Sequence, residues 1–401
     1  MSKDSLSYTN FNSIAVTVLV ISLIYSPLLE SYLPLSFLKE TLVAIFMVMG
    51  GYLFFGSSQL KVHRFIFIYT FLAFSVMLIS MLFWNSYSTI GSYLSVLIVL
   101  FLFLFNRVNY FEILLKYTLI ISVMIAFGEI IAGKYLYVVS VSVNGQLFTL
   151  DEKLFSGSMS IFRAKGLFEG PLTFAQFCVF TSLIFFNDRK LLLIAFIGAL
   201  TTSSRMAIFV TFAIFLFQLY FHAYNGTNSK YKAYKLFFIF VFIAINIISF
   251  SVFLYLSDSD FSQRLAQTFD FSGSASNSLR MYFWKSSLNV YAQYDFFHLI
   301  FGNNGYFREQ FDNNAESGWL TLLVDNGLLG LLYYLLPCLF LFYVGFQEKQ
   351  QDIMFFSFVY LLVNSTMTFY LSASGNILYW YLIFKWIQEF SGEKKSFNTV
   401  K

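Results

Sequence analysis

An arginine follows four hydroxyl-bearing residues where two apolar runs meet, in the sequence GALTTSSRMAIFVTF at 198–212. Ser204 directly precedes Arg205, and the second apolar run begins after it. Hydroxyl groups, the amides at the start of a helix and a guanidinium all attract anions. The sequence therefore predicts an anion site at this turn. The alternative is an arginine that only extends to lipid headgroups at a membrane surface.

The composition indicates that membrane spans hold this turn in place. The chain has 401 residues, is 58% hydrophobic and 11% charged, and has a mean hydropathy of +0.70. A soluble domain is about 45–50% apolar and about 25% charged, so we predict an all-α fold, a polytopic bundle of transmembrane helices. The formal net charge of +4 is small for this length and does not indicate nucleic acid as a partner.

Apolar runs of about 17–25 residues are long enough to cross a bilayer. We predict twelve spans, of which the run before Arg205 is the shortest, at 13–29, 38–56, 65–84, 90–106, 112–132, 171–187, 190–202, 206–222, 235–256, 318–344, 352–371 and 376–390. They form an N-terminal group at 1–132, a central group at 171–256 and a C-terminal group with a tail at 318–401. Polar loops at 133–170 and 257–317 separate these groups.

Charge in the short loops indicates how the spans are oriented. With the N-terminus in the cytoplasm, most lysines and arginines of the short loops lie on the cytoplasmic side. The short outer loops then contain only Lys39 and Arg205. Since positive charge concentrates in cytoplasmic loops, we expect both termini in the cytoplasm and both long polar loops outside.

Three further stretches contain polar residues at the predicted outer face. They read FRAKGLFEGPLTFA at 162–175, SLRMYFWKSSLNVYAQYDFFHLIFGNNGYF at 278–307 and ESGWLTLLVDNGLLGLL at 316–332. Together with the turn LTTSSRMAI at 200–208, they resemble motifs of the O-antigen polymerase (Wzy) and O-antigen ligase superfamily of bacterial polysaccharide enzymes. Each motif is short, so the resemblance rests on their order and spacing over roughly 160–335.

The resemblance implies a lipid-dependent glycosyltransferase in the bacterial inner membrane, with its active site on the periplasmic side. The donor would be a glycan on undecaprenyl diphosphate, and no cofactor would be needed. We favour a polymerase that transfers the growing glycan to a lipid-linked repeat unit. Its partners would be the undecaprenyl-diphosphate oligosaccharide donor and acceptor, with a chain-length regulator in the same membrane.

The basic residues of these motifs would bind the diphosphate. Arg163, Arg205 and Arg280 suit this role because the guanidinium fork donates two parallel hydrogen bonds and stays charged. Lys165 would add a point charge, and Ser204 a hydroxyl. An interfacial girdle of basic residues without a catalytic role is the alternative.

An amphipathic helix should present Arg280 to the site. Its inward face is predicted to consist of Arg280, Trp284, Leu288 and Tyr291. Trp284 would then contribute to substrate binding. The alternative is a surface helix on which Arg280 pairs with Asp270 or Asp295.

Glu316 is the candidate general base. The ligase branch has a histidine at the motif position where this chain has Glu316, and a carboxylate there could accept the proton of an attacking sugar hydroxyl. An acid favoured only by the helix dipole is the alternative. In the span that follows, we expect a kink at Gly327 and a close approach of another helix at Gly330.

Other sites of chemistry find little support in the sequence. No spacing typical of a metal site occurs, so we expect metal independence. Cys178 and Cys338 lie in apolar runs and are expected to be core residues, and Glu129 is expected to lie at the membrane interface. Two other functions remain as alternatives: a ligase that transfers the glycan to lipid A–core, and a flippase for lipid-linked oligosaccharides.

Overall fold

A computed structural model describes the chain over a set of separate ranges. They are residues 64–84, 96–97, 99–100, 102–103, 108–137, 139–143, 146–150, 162–225, 275–367 and 373–398. The predicted spans at 13–29, 38–56 and 235–256, and most of that at 90–106, lie outside them.

The described part of the chain consists of helices and one two-stranded hairpin, joined by loops and turns. In chain order the helices and strands are α1 (Arg64–Ser80), followed by a 3-10 turn (Met81–Phe83), α2 (Val108–Ala132), β1 (Val139–Val143), β2 (Gln146–Leu150), α3 (Pro171–Ile184), α4 (Arg189–Thr201), α5 (Arg205–Asn225), α6 (Ala275–Ala292), α7 (Phe296–Phe301), α8 (Tyr306–Phe311), α9 (Gly318–Gln347), α10 (Gln351–Asn364) and α11 (Ala373–Asn398).

Helices α2, α5 and α9 are each long and apolar enough to cross a membrane. Helices α3 and α10 are apolar but have only 14 residues each. The prediction of helices that could span a membrane is confirmed for these three, by length and composition.

The hairpin is a feature that the all-α prediction did not include. Its strands are antiparallel, with Val139 opposite Leu150 and Val143 opposite Gln146. The sequence does contain a signal for it, because an Asn-Gly pair at 144–145 separates two runs rich in β-forming residues. Such a pair favours the turn of a two-residue hairpin.

The chain divides into two compact units, and one of them comprises residues 116–281. Asp188 caps the N-terminus of α4, since its Oδ1 accepts hydrogen bonds from the amides of Lys190 (3.0 Å) and Leu191 (3.3 Å). A Cβ placed on Gly198 of α4 would lie 2.8 Å from Cys178 Sγ and 2.9 Å from Val123 Cγ2. Helices α2, α3 and α4 therefore meet at this glycine.

The other unit comprises residues 1–115 and 282–401. Its core around α9 and α11 is aromatic, with Tyr334, Tyr379 and Trp380 fully buried. The Lys385 Nζ lies 2.6 Å from Glu112 Oε1, which ties α11 to α2 within this unit.

Helix α9 is broken at Gly327, where φ is 64° and ψ is −166°. The predicted kink is confirmed, and the cause is close backbone packing. A Cβ on Gly302 would lie 2.3 Å from the Asn326 nitrogen, and one on Gly327 would lie 2.4 Å from the Ile300 oxygen. The Asn303 amide donates to the Val324 carbonyl (3.1 Å) and so satisfies a group that the break exposes.

Among the residues that the structure describes, Gly330 accommodates a side chain of its own helix and not the predicted second helix. A Cβ at Gly330 would lie 2.1 Å from the Cβ of Asn326, one turn earlier in α9. The missing side chain makes room for Asn326, which is 2% exposed.

The predicted inward face of α6 was wrong in part, since Arg280, Trp284 and Tyr291 are half-buried but Leu288 is not. The buried residues are Phe283, Ser287 and Val290, whereas Leu288 is 50% exposed. Phe283 and Val290 belong to a cluster with Phe307 of α8. The packing of α8 therefore sets the orientation of α6, and the helical period alone could not distinguish the two faces.

Candidate functional site

The segment at 162–170, called here the strap, is held by a buried carboxylate of α2. Glu129 is 2% exposed. Its Oε2 accepts hydrogen bonds from the amides of Lys165 (2.9 Å) and Gly166 (3.0 Å), and its Oε1 accepts one from Leu136 (3.3 Å). Glu129 is therefore more than an interfacial residue, because its buried carboxylate holds three backbone amides. A carboxylate within an apolar span could have indicated this role, because such residues need partners inside the protein.

The pattern Arg-x-x-Gly-x-Phe-x-x-Pro begins in the strap and ends at the first residue of α3, and the structure gives a physical reason for its glycine, phenylalanine and proline. Gly166 has φ +57°, and a Cβ there would lie 2.7 Å from the Ser122 oxygen. Phe168 is 2% exposed and packs on Phe174 and Phe177. Pro171 is the first residue of α3. Proline is favoured there because an amide hydrogen at this position would have no acceptor within the helix.

Lys165 lies in the centre of the strap rather than at its surface. Its side chain is 1% exposed, and its Nζ lies 3.6 Å from the ring centroid of Tyr137 and 5.1 Å from that of Tyr135. Burial lowers the pKa of Lys165 to about 8, although the nearby Glu129 and Glu169 oppose this shift. Contact between this ammonium and a substrate would require the tyrosine rings to move, so we assign Lys165 to holding the strap.

Arg163 connects the strap to the turn that precedes Arg205. Its Nε donates to the Thr202 carbonyl (2.9 Å), and the next amide, of Ala164, donates to the Thr201 carbonyl (3.1 Å). The Tyr135 hydroxyl donates to the Arg163 carbonyl (2.9 Å). Arg163 is thereby fixed at the turn of 201–204, and two of the motifs that the sequence suggested meet there.

The turn itself differs from the predicted row of hydroxyl donors. The hydroxyls of Thr201 and Thr202 donate to the carbonyls of Gly198 and Ala199, each at 2.7 Å. Since these hydroxyl hydrogens are used within α4, the expectation that both threonines offer them to an anion was wrong. Ser204 remains a candidate donor, and its amide donates to the Thr202 hydroxyl oxygen (3.2 Å).

The residue before Ser204 has a strained backbone. Ser203 has φ 50°, a left-handed conformation that is unfavourable for a residue with a side chain. It ends α4 so sharply that α5 can begin two residues later, at Arg205. Arg205 therefore occupies the first position of a long apolar helix, with a half-buried side chain. Strain of this kind is often retained at functional sites.

A second strained turn carries Glu316 in the other unit. Glu316 has φ 51°, and its amide donates to the Asn314 Oδ1 (2.9 Å). Its half-buried carboxylate accepts a hydrogen bond from Asn313 Nδ2 (3.3 Å). Glu316 precedes the N-cap residue Ser317 and lies outside the first turn of α9. The helix dipole alone therefore does not account for its position.

The two predicted site residues of α6 lie one turn apart. The Trp284 Nε1 donates to the Glu316 carbonyl at 3.4 Å, a long bond that places the indole beside the strained turn. Trp284 therefore positions Glu316 whether or not it also contacts a substrate. Arg280 lies one turn before Trp284 and is half-buried.

Within the ranges that the structure describes, no group of three or more histidine, cysteine or acidic side chains could hold a metal ion. Both cysteines are buried. No protein-family model and no curated protein matches the chain in sequence. Its function must therefore be argued from the two turns and the residues that hold them.

Proposed function

We propose that the chain is a membrane glycosyltransferase that polymerises glycans carried on undecaprenyl diphosphate, acting at the outer face of a bacterial inner membrane. The observation that carries the proposal is the hydrogen bond from Arg163 to the Thr202 carbonyl. It brings Arg163 to the turn that ends at Arg205, so one compact unit holds two guanidinium groups at a helix N-terminus. This arrangement suits a diphosphate, which needs several donors and positive charge.

The chemistry requires little beyond charge stabilisation and one base. An acceptor hydroxyl oxygen attacks the anomeric carbon of the donor, and the bond from that carbon to the diphosphate oxygen breaks. The leaving undecaprenyl diphosphate carries the electron pair, and Arg163, Arg205 and Arg280 would stabilise its charge. Glu316 would accept the proton of the acceptor hydroxyl. The strain and hydrogen bonding at Glu316 support this role, because they hold its carboxylate in one orientation.

The experiment that tests the proposal is polymerisation by the purified chain. Lipid-linked repeat units in proteoliposomes should give a ladder of longer lipid-linked glycans, and the ladder should persist in excess EDTA. Absence of the ladder with an otherwise folded protein would refute polymerase activity. Glycan transfer to added lipid A–core, without a ladder, would instead support the ligase.

One observation favours a second candidate, a flippase for lipid-linked oligosaccharides. Helix α9 is discontinuous at Gly327, and transporters often build their substrate sites from broken helices. A flippase would move lipid-linked repeat units across liposomes without lengthening them. Following both accessibility and glycan length in the same proteoliposomes separates these two functions.

A further inference from the structure

A cavity of about 210 Å³, with both polar and apolar lining, lies beside the turn that carries Glu316, within the unit that contains α9. Side-chain amides, a hydroxyl and two carboxylates line it, from Asn304, Asn313, Asn314, Thr321, Asp312 and Asp325. Pockets for drug-sized ligands are about 300–1,000 Å³. The cavity therefore suits a smaller, strongly hydrogen-bonding group such as a single sugar ring.

The charges of the cavity distinguish it from a phosphate site. Among the described lining residues, the one cation is Arg308, and it is accompanied by Asp312 and Asp325. Two carboxylates would repel a diphosphate, whereas a neutral sugar can donate hydroxyl hydrogens to them. The apolar side of the lining comes from Phe307 and Val324, which matches the C–H face of a sugar ring.

The cavity is connected directly to the candidate base. Asn313 lines it and donates to Glu316 Oε1 (3.3 Å), and Asn314 lines it and accepts from the Glu316 amide (2.9 Å). Glu316 does not itself line the cavity, so these two asparagines are the link between a sugar seated there and the carboxylate. The same two asparagines would then bind the sugar and orient the group that takes its proton.

We propose that this cavity binds the terminal sugar ring of the lipid-linked acceptor. The identification of this sugar as the acceptor rests on the proposed function, but sugar binding in the cavity can be measured without any turnover. Asp325 would accept a hydrogen bond from a sugar hydroxyl. Thr321 would contribute its hydroxyl oxygen, whose hydrogen already donates to the Ser317 carbonyl (2.7 Å).

The direct test is binding of a defined oligosaccharide to the purified full-length chain. The probe is the oligosaccharide that mild acid releases from the lipid-linked repeat units, and calorimetry measures its dissociation constant. Asp325→Asn should weaken binding about 10- to 100-fold, since it removes a charged acceptor. Thr321→Val should weaken it about 3- to 10-fold, since it removes a neutral one.

The chain offers a matched control for the threonine variant. Thr211 of α5 is also buried, and its hydroxyl also donates to a carbonyl four residues earlier at 2.7 Å. Thr211→Val makes the same chemical change away from the cavity and should leave sugar binding unchanged. Labelling of the buried Cys338 with a maleimide would show whether each cavity variant stays folded.

Binding and polymerisation separate the two proposals. Weaker sugar binding and a raised acceptor KM in both cavity variants, with donor binding unchanged, would support the acceptor site. Sugar binding that the cavity variants weaken, in a chain that makes no polymer, would keep the sugar site and refute polymerase activity. Polymer formation with wild-type acceptor KM in both folded variants would overturn the acceptor site and leave the proposed function standing. Equal weakening by Thr211→Val would also overturn it.

Discussion

Replacing Glu129 with glutamine tests whether one buried side chain holds the strap in place. The carboxylate accepts three backbone hydrogen bonds, from Lys165, Gly166 and Leu136. In Glu129→Gln the amide oxygen can still accept the two bonds from the strap. The amide nitrogen must then face the Leu136 N–H, which it cannot accept. The loss of one hydrogen bond to a charged acceptor costs about 1.5–3 kcal/mol.

The two native cysteines provide the assay for this change. Cys178 and Cys338 are both fully buried, and they lie in different compact units. In a Cys338→Ala background, a fluorogenic maleimide reports the thermal exposure of Cys178 and hence the unfolding of the unit that contains the strap. The expected cost corresponds to a midpoint lowered by about 3–10 °C.

A surface control and a second readout make the test decisive. Glu348→Gln makes the same substitution at an exposed position and should leave the midpoint unchanged. Because the strap places Arg163, Glu129→Gln should also weaken donor binding. A midpoint and donor affinity equal to those of the parent would refute the role of Glu129 as the acceptor that holds the strap.

Four further predictions concern the proposed site and its surroundings. Arg205→Lys should abolish polymer formation because a lysine lacks the planar fork. The control Arg189→Lys, at the first residue of α4, should leave the glycan ladder unchanged. A normal ladder from Arg205→Lys would reduce Arg205 to a membrane anchor. Glu316→Gln should lower turnover by about 10²–10⁴-fold while donor binding persists, and near-normal turnover would exclude it as the base. Burial lowers the pKa of Lys165 from 10.5 to about 8. Between pH 8 and 10.5 the unfolded chain therefore binds more protons than the folded chain, and the free energy of unfolding should rise with pH. Calorimetric unfolding of Lys165→Met should lack this rise with pH. A cysteine at the exposed position of Gln310 should react with an impermeant maleimide in intact cells, and reaction only after lysis would reverse the predicted topology.

Sequence reasoning located the long apolar helices of the described ranges because long apolar runs determine them, but it did not locate the short helices α7 and α8. The predicted span at 112–132 lies within α2, and that at 318–344 lies within α9. The kink at Gly327 followed from a glycine next to polar residues within an apolar run. In each case one local property was sufficient for the prediction.

The site was harder to predict because its contacts join residues that are distant in sequence. The strap depends on Glu129, which precedes Lys165 by 36 residues. The inward face of α6 is set by α8, and no periodicity within α6 could show which of two apolar faces that helix would cover. Thr201 and Thr202 have the residue types of an anion site, yet their hydroxyls are used within their own helix. Residue types suggested an anion site, but only the hydrogen bonds showed which of these side chains could still donate to an anion.

The break in α9 accounts for a polar cluster in an otherwise apolar helix. The part from Leu328 to Gln347 is about 30 Å long at 1.5 Å per residue, which already matches the hydrocarbon thickness of a bilayer. The part before Gly327 therefore does not have to lie within the hydrocarbon, and Asp325 is buried against protein rather than exposed to lipid. A charge placed this way avoids most of the insertion cost of about 2.5–3.5 kcal/mol that it would have at the bilayer centre. Irregular backbone is tolerated at such a position where it is buried in protein or lines a cavity, and here Asp325 lines the cavity beside the turn of Glu316.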